Sequence, residues 1–150
     1  MKKILLILTL SIFSFASNLP INSVVKIFST VSDQNYLEPW ENPKIYNLTG
    51  SGAIIKDNRI LTSAHVVSGA NFVEVQKEND SKKYDATVKY ISNDVDLAIL
   101  EVNDKSFFAN TKALEITEDV KIKDSVTAIG YPIGGNTLST TNGIVSRIEY

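Results

Sequence analysis

Gly50-Ser51-Gly52-Ala53-Ile54-Ile55-Lys56-Asp57-Asn58-Arg59-Ile60-Leu61-Thr62-Ser63-Ala64-His65-Val66-Val67 is the stretch on which the fold turns. Short apolar runs flank Asp57-Asn58, two residues that tolerate left-handed backbone, so the segment predicts a β-hairpin with strands over Gly52 to Ile55 and Ile60 to Ser63. The only histidine of the chain, His65, falls where the second strand ends, and the small neighbours Ser63 and Ala64 leave its ring approachable. An imidazole, with an ordinary pKa of about 6.5, takes and returns protons near neutral pH, which makes His65 a candidate general base.

Outward from the hairpin the same texture continues. Further strands are predicted over Ser23 to Thr30, Phe72 to Gln76, Tyr84 to Ser92, Leu97 to Val102, Ser125 to Gly130 and Gly143 to Glu149, with no long apolar stripe of helical period between them. Turn chemistry separates them at Ser68-Gly69-Ala70-Asn71, Glu78-Asn79-Asp80-Ser81 and Gly134-Gly135-Asn136. Many short strands in series indicate an all-β chain forming a small closed barrel or sandwich. Ser32 to Leu48, broken by Pro39 and Pro43, is predicted as a long surface loop. Its aromatics Tyr36, Trp40 and Tyr46 are expected to pin the loop to its own domain, the competing role being a subunit contact.

Composition narrows the chemistry. The 150 residues are 43% hydrophobic and 21% charged, suited to one globular domain, and contain no cysteine, which removes disulfides, thiolate zinc sites and a thiol nucleophile. One histidine excludes a multi-histidine metal site, and a net charge of -2 offers no basic field for nucleic acid. The first residues, MKKILLILTLSIFSFAS, have a basic start, an apolar run and small residues at Ser14 and Ala16. Residues 1–16 are therefore read as a signal peptide cut after Ala16, its apolar run short for spanning a bilayer. The mature protein is expected to be exported, periplasmic or secreted, without stable membrane insertion.

A histidine base works best beside a carboxylate that holds its tautomer and stabilises the imidazolium. Asp96 is the leading candidate: it heads Leu97-Ala98-Ile99-Leu100, an apolar run read as a buried strand, and its carboxylate is expected at the edge of the core. Asp94 is the lesser candidate. A third segment, Ala128-Ile129-Gly130-Tyr131-Pro132-Ile133-Gly134-Gly135, runs from a strand into a glycine-rich loop before Gly143-Ile144-Val145-Ser146. No Gly-Lys-Ser/Thr comes after the glycines, so it is not a phosphate loop.

Taken in order, these segments resemble the trypsin-like serine proteases of the HtrA/Deg family. Thr62-Ser63-Ala64-His65-Val66-Val67 resembles the catalytic-histidine motif, Asp94-Val95-Asp96-Leu97-Ala98-Ile99-Leu100 the catalytic-aspartate segment, and Gly130 to Ser146 the join between two barrels. The resemblance spans about residues 23–149. It implies a chymotrypsin-type β-barrel at about 23–130, a connector and the first strand of a second barrel at about 131–150, and catalytic roles for His65 and Asp96. It also implies a serine endopeptidase acting on unfolded or damaged envelope polypeptides, with no cofactor or metal and with homo-oligomer formation open. The family's Gly-Asn-Ser-Gly-Gly-like nucleophile segment is not found in the chain. Gly50-Ser51-Gly52 precedes the histidine and is not read as its substitute. The ending at Ile148-Glu149-Tyr150 is accordingly read as a truncated or split frame, inactive alone, with a non-catalytic peptide- or partner-binding barrel as the alternative.

Overall fold

The computed structural model describes residues 19–132 and 135–149. The signal peptide expected over residues 1–16 lies outside them. Six strands, β1 (Val24–Asp33), β2 (Lys44–Ile55), β3 (Arg59–Thr62), β4 (Ala70–Lys77), β5 (Tyr84–Ser92) and β6 (Leu97–Val102), close into an antiparallel barrel in the order β1-β2-β3-β6-β5-β4. Closure leaves no open barrel edge to template further pairing. A separate two-stranded sheet pairs β7 (Ser125–Gly130) with β8 (Ser139–Ile144).

The hairpin forms as its sequence dictates. Asp57 and Asn58 adopt φ 64 and 54, the left-handed region that short polar side chains tolerate, and β2 then pairs with β3 from Gly52↔Thr62 to Ile55↔Arg59. Alternate side chains point inward, so Val25, Ile27, Ile54, Ile60, Val75 and Leu100 meet in a core where none exceeds 2% exposure. Gly52 lacks a side chain for a reason of space: a Cβ there would stand 2.7 Å from Ile60 Cγ2 and 2.9 Å from Ile27 Cδ1. Past the end of β6, a short 3-10 helix (Lys105–Phe108) seats fully buried Phe107 edge-on to Tyr84 and Phe108, with ring centroids 5.0 Å apart in both pairs.

Three expectations need correction. The predicted loop from Ser32 to Leu48 is shorter than expected: β1 runs on to Asp33 and β2 begins at Lys44, so both ends of the stretch are strand, paired as a β1–β2 ribbon, and only residues 34–43 are irregular. Its aromatics do not pin it, since Tyr36 and Trp40 are 88% and 80% exposed. The tip is held instead by polar contacts, Gln34 Nε2 donating to the backbone carbonyls of Pro39 and Glu41 and the side-chain Oδ1 of Asn35 accepting from the Leu37 N–H. Third, the last strand lies at Ser139–Ile144, earlier than Gly143 to Glu149, because β7 sets the register from Gly130↔Ser139 to Ser125↔Ile144.

Candidate active site

Antiparallel pairing brings the two candidates together. Thr62 at the end of β3 faces Ala98 near the start of β6, so the residues just after β3 must lie beside those just before β6. A one-turn helix, α1 (Ala64–Val67), succeeds β3. Its Ala64, Val66 and Val67 are buried, which leaves His65 as the one residue of α1 turned outward. Ahead of β6, Asn93 to Asp96 form a turn closed by the Asp96 N–H on the Asn93 carbonyl, and Asp96 takes φ 52. Aspartate is among the few residues that adopt this backbone readily.

The Asp96 carboxylate meets His65 at two points. Oδ1 accepts from the His65 backbone N–H at 2.9 Å, and Oδ2 lies 2.7 Å from Nδ1. An ionised carboxylate only accepts, so Nδ1 carries the proton and the Nε2 lone pair is left facing outward. The backbone hydrogen bond from His65, and after it the imidazole contact, hold the Asp96 carboxyl below the usual carboxylate range. The expectation of a buried Asp96 is not met: its side chain is 49% exposed and that of His65 73%. Leu97 is exposed too, so β6 alternates rather than being buried throughout. Among the described residues Asp94 makes no hydrogen bond to His65; Asp96 supplies both.

Ser51, set aside as a nucleophile from its position in the chain, is engaged elsewhere. Its Oγ accepts from the Tyr131 N–H at 2.7 Å, and its carbonyl accepts from Thr62 Oγ1 at 2.9 Å. Sequence reasoning did not find the residues around this contact. Lys26, Glu78 and Tyr131 are ordinary surface-strand types, and only their hydrogen bonds to distant parts of the chain single them out. Among the described residues no three His, Cys, Asp or Glu side chains gather into a potential metal site.

A closed six-stranded barrel with a hydrogen-bonded histidine and aspartate at one end is the first-barrel arrangement of trypsin-like proteins. A family model described as trypsin-like peptidase domain matches residues 50–150, and the chain belongs to that family. Curated relatives are of the kind the motifs pointed to. The chain is 40% identical over 140 residues to protease Do-like 4, mitochondrial, of Arabidopsis thaliana, a match covering 93% of the chain and 27% of the relative. It is 41% identical over 126 residues to a serine protease DegP homolog of Plasmodium falciparum, covering 84% and 14%. Among solved structures, the active form of the Rv3671c protease from M. tuberculosis superposes with a TM-score of 0.64 at 31% identity, covering 83% of this chain and 48% of that one. The chain therefore spans about a quarter or less of these two curated relatives.

Proposed function

We propose that this chain supplies the proton-transfer half of a serine endopeptidase, with His65 as general base and then general acid and Asp96 as the group that orients it. The observation that carries this is the two-point contact between Asp96 and His65, which fixes both the backbone and the ring of the histidine while Nε2 faces outward. In the reaction, Nε2 takes the proton of an attacking serine hydroxyl as that oxygen bonds to a peptide carbonyl carbon. The proton then passes to the departing amine, and the imidazolium that exists between the two steps is stabilised by the adjacent carboxylate. The serine belongs to polypeptide beyond the segments described.

Unfolded or damaged polypeptides outside the cytoplasm are the proposed substrates, in keeping with the charged-then-apolar N-terminus and the Do-like relatives. Copies of the chain associating through the exposed tip that carries Tyr36, Leu37 and Trp40 would account for its apolar surface. The test is turnover of an unfolded polypeptide such as casein by the full-length protein, alone and as His65→Ala. Loss of cleavage in the variant, with an unchanged melting temperature, supports the assignment. Equal cleavage by the two proteins would remove it and leave the peptide-binding reading.

A further inference from the structure

Lys26 is the anomaly on the outer face of β1. Its neighbours Val25 and Ile27 point into the barrel, so its side chain points away from the core, yet it is 6% exposed. An ammonium group is costly to bury unless its hydrogen-bonding capacity is met. Here Nζ donates to the Gly135 carbonyl and to Asn136 Oδ1, both at 2.8 Å, and lies 5.0 Å from the Phe28 ring centroid and 5.9 Å from that of Tyr131. Among the described residues no carboxylate pairs with it. The covering segment is the connector between β7 and β8, which reaches back over the barrel wall.

Two further contacts hold the same connector. Tyr131, 8% exposed, donates its backbone N–H to Ser51 Oγ on β2 at 2.7 Å and its hydroxyl to Glu78 Oε2, just past β4, at 2.5 Å. The approach to β2 is close: a Cβ at Gly130 would stand 2.8 Å from Ser51 Oγ. Three places on the barrel wall, on β1, on β2 and beyond β4, thus grip one short connector. Ser51 also holds Thr62, three residues before His65, through its carbonyl.

We propose that Lys26, Ser51 and Glu78 are positioning residues that clamp the connector at Tyr131, Gly135 and Asn136. The clamp fixes the angle and distance at which the β7–β8 sheet stands against the barrel end bearing His65. Its catalytic consequence rests on the peptidase reading above, in which the attacking serine is carried by polypeptide beyond β8. A misplacement of about 1 Å between reacting groups costs roughly a hundredfold in rate, so a joint between the two halves is a place where turnover can be set.

The test uses the full-length protein and its Lys26→Met variant, which keeps the apolar stem and removes the donors. Hydrogen exchange is expected to quicken at least about tenfold at the amides of β7, β8 and the connector while β1 to β6 keep their protection. Well below the variant's melting temperature, kcat on casein is expected to fall about tenfold at unchanged KM, with the midpoint of the pH profile unmoved. Lys26→Arg should recover most of both. If Lys26→Met fails to fold, Tyr131→Phe, which removes only the hydroxyl contact to Glu78, is read by the same exchange measurement. Unchanged exchange in β7 and β8 overturns the clamp whether or not the protein is active. Faster exchange with unaltered kcat overturns the positioning role and leaves a structural one. Wild-type protein without His65-dependent turnover sinks the peptidase reading and the positioning role with it, while exchange still decides the clamp.

Discussion

Asp96 accepts from His65 twice, from the backbone N–H at 2.9 Å and from Nδ1 at 2.7 Å, so one carboxylate fixes both the start of α1 and the imidazole it presents. The two functions are separable. In Asp96→Asn the amide oxygen can still accept the backbone N–H, and asparagine tolerates φ 52 as well as aspartate does. The amide nitrogen then faces Nδ1 as a donor, which moves the ring proton to Nε2, the atom that must be free to act as base. For the full-length protein kcat/KM on an unfolded polypeptide is expected to fall on the order of 10⁴-fold with the melting temperature nearly unchanged. A variant retaining most of its turnover would show that the contact is a structural cap alone.

Gly50 tests the seating of α1. A Cβ at this position would lie 2.6 Å from Val66 Cγ2 and 2.7 Å from Cγ1, and Val66 is buried with little room to withdraw. Gly50→Ala is expected to destabilise the fold by about 1–3 kcal/mol through overpacking. Because Val66 adjoins His65, it should also lower His65-dependent turnover. Val66→Ala removes the opposing methyl groups, so the double variant should lose less stability than the sum of the singles, by an interaction energy of roughly 0.5–3 kcal/mol in denaturant titrations. Strict additivity would show that α1 does not rest on Gly50.

What was legible in the sequence was what residue identity alone decides. Asp57-Asn58 announced a turn because their backbone tolerance is local, and both take positive φ. Asp96 was legible by its place at the head of β6, since an antiparallel barrel brings that place to the end of β3. Its exposure was not, because burial depends on what packs over a strand end and not on the strand's own pattern. The start of β8 is hidden in the sequence because Thr140-Thr141-Asn142 are polar, and only pairing with β7 shows them to be strand. Lys26 was invisible for the same reason: a lysine reads as solvated surface, and its burial is made by a connector 110 residues away.

Among the described residues Ser29 is the one orphan in the core. It comes after Val25 and Ile27 on the inward face of β1, is 1% exposed, and its Oγ is the single buried side-chain polar atom without a hydrogen-bond partner among the described residues. A buried hydroxyl without a partner keeps its desolvation cost and gains nothing in return. Ser29→Ala is therefore expected to raise stability by roughly 1 kcal/mol, seen as a higher denaturant midpoint at constant slope. A loss of similar size would reveal a partner for the hydroxyl, such as an ordered water inside the barrel.

Acid sensitivity should be visible at Asp104. Its carboxylate caps the 3-10 helix that seats Phe107, accepting from the Ser106 N–H at 3.0 Å, and pairs with Lys82 Nζ at 3.1 Å. The Ser106 hydroxyl first, then Lys82 and then the Ser106 N–H hold its pKa down to about 2 from the ordinary 3.8. A carboxyl lowered on folding stabilises the native state fully above its unfolded pKa, and that contribution disappears as pH falls through the folded value. The window for Asp104 therefore runs from about pH 4 down to about pH 2. Asp104→Asn should melt below wild type at neutral pH and show a shallower decline across that window, the two curves converging near its acid end. Lys82→Ala should reproduce part of this, because the Ser106 contact persists without the ammonium. Parallel melting curves for wild type and Asp104→Asn throughout the window would mean that Asp104 titrates alike in the folded and unfolded chains, and that its cap on the Phe107 turn is not formed in solution.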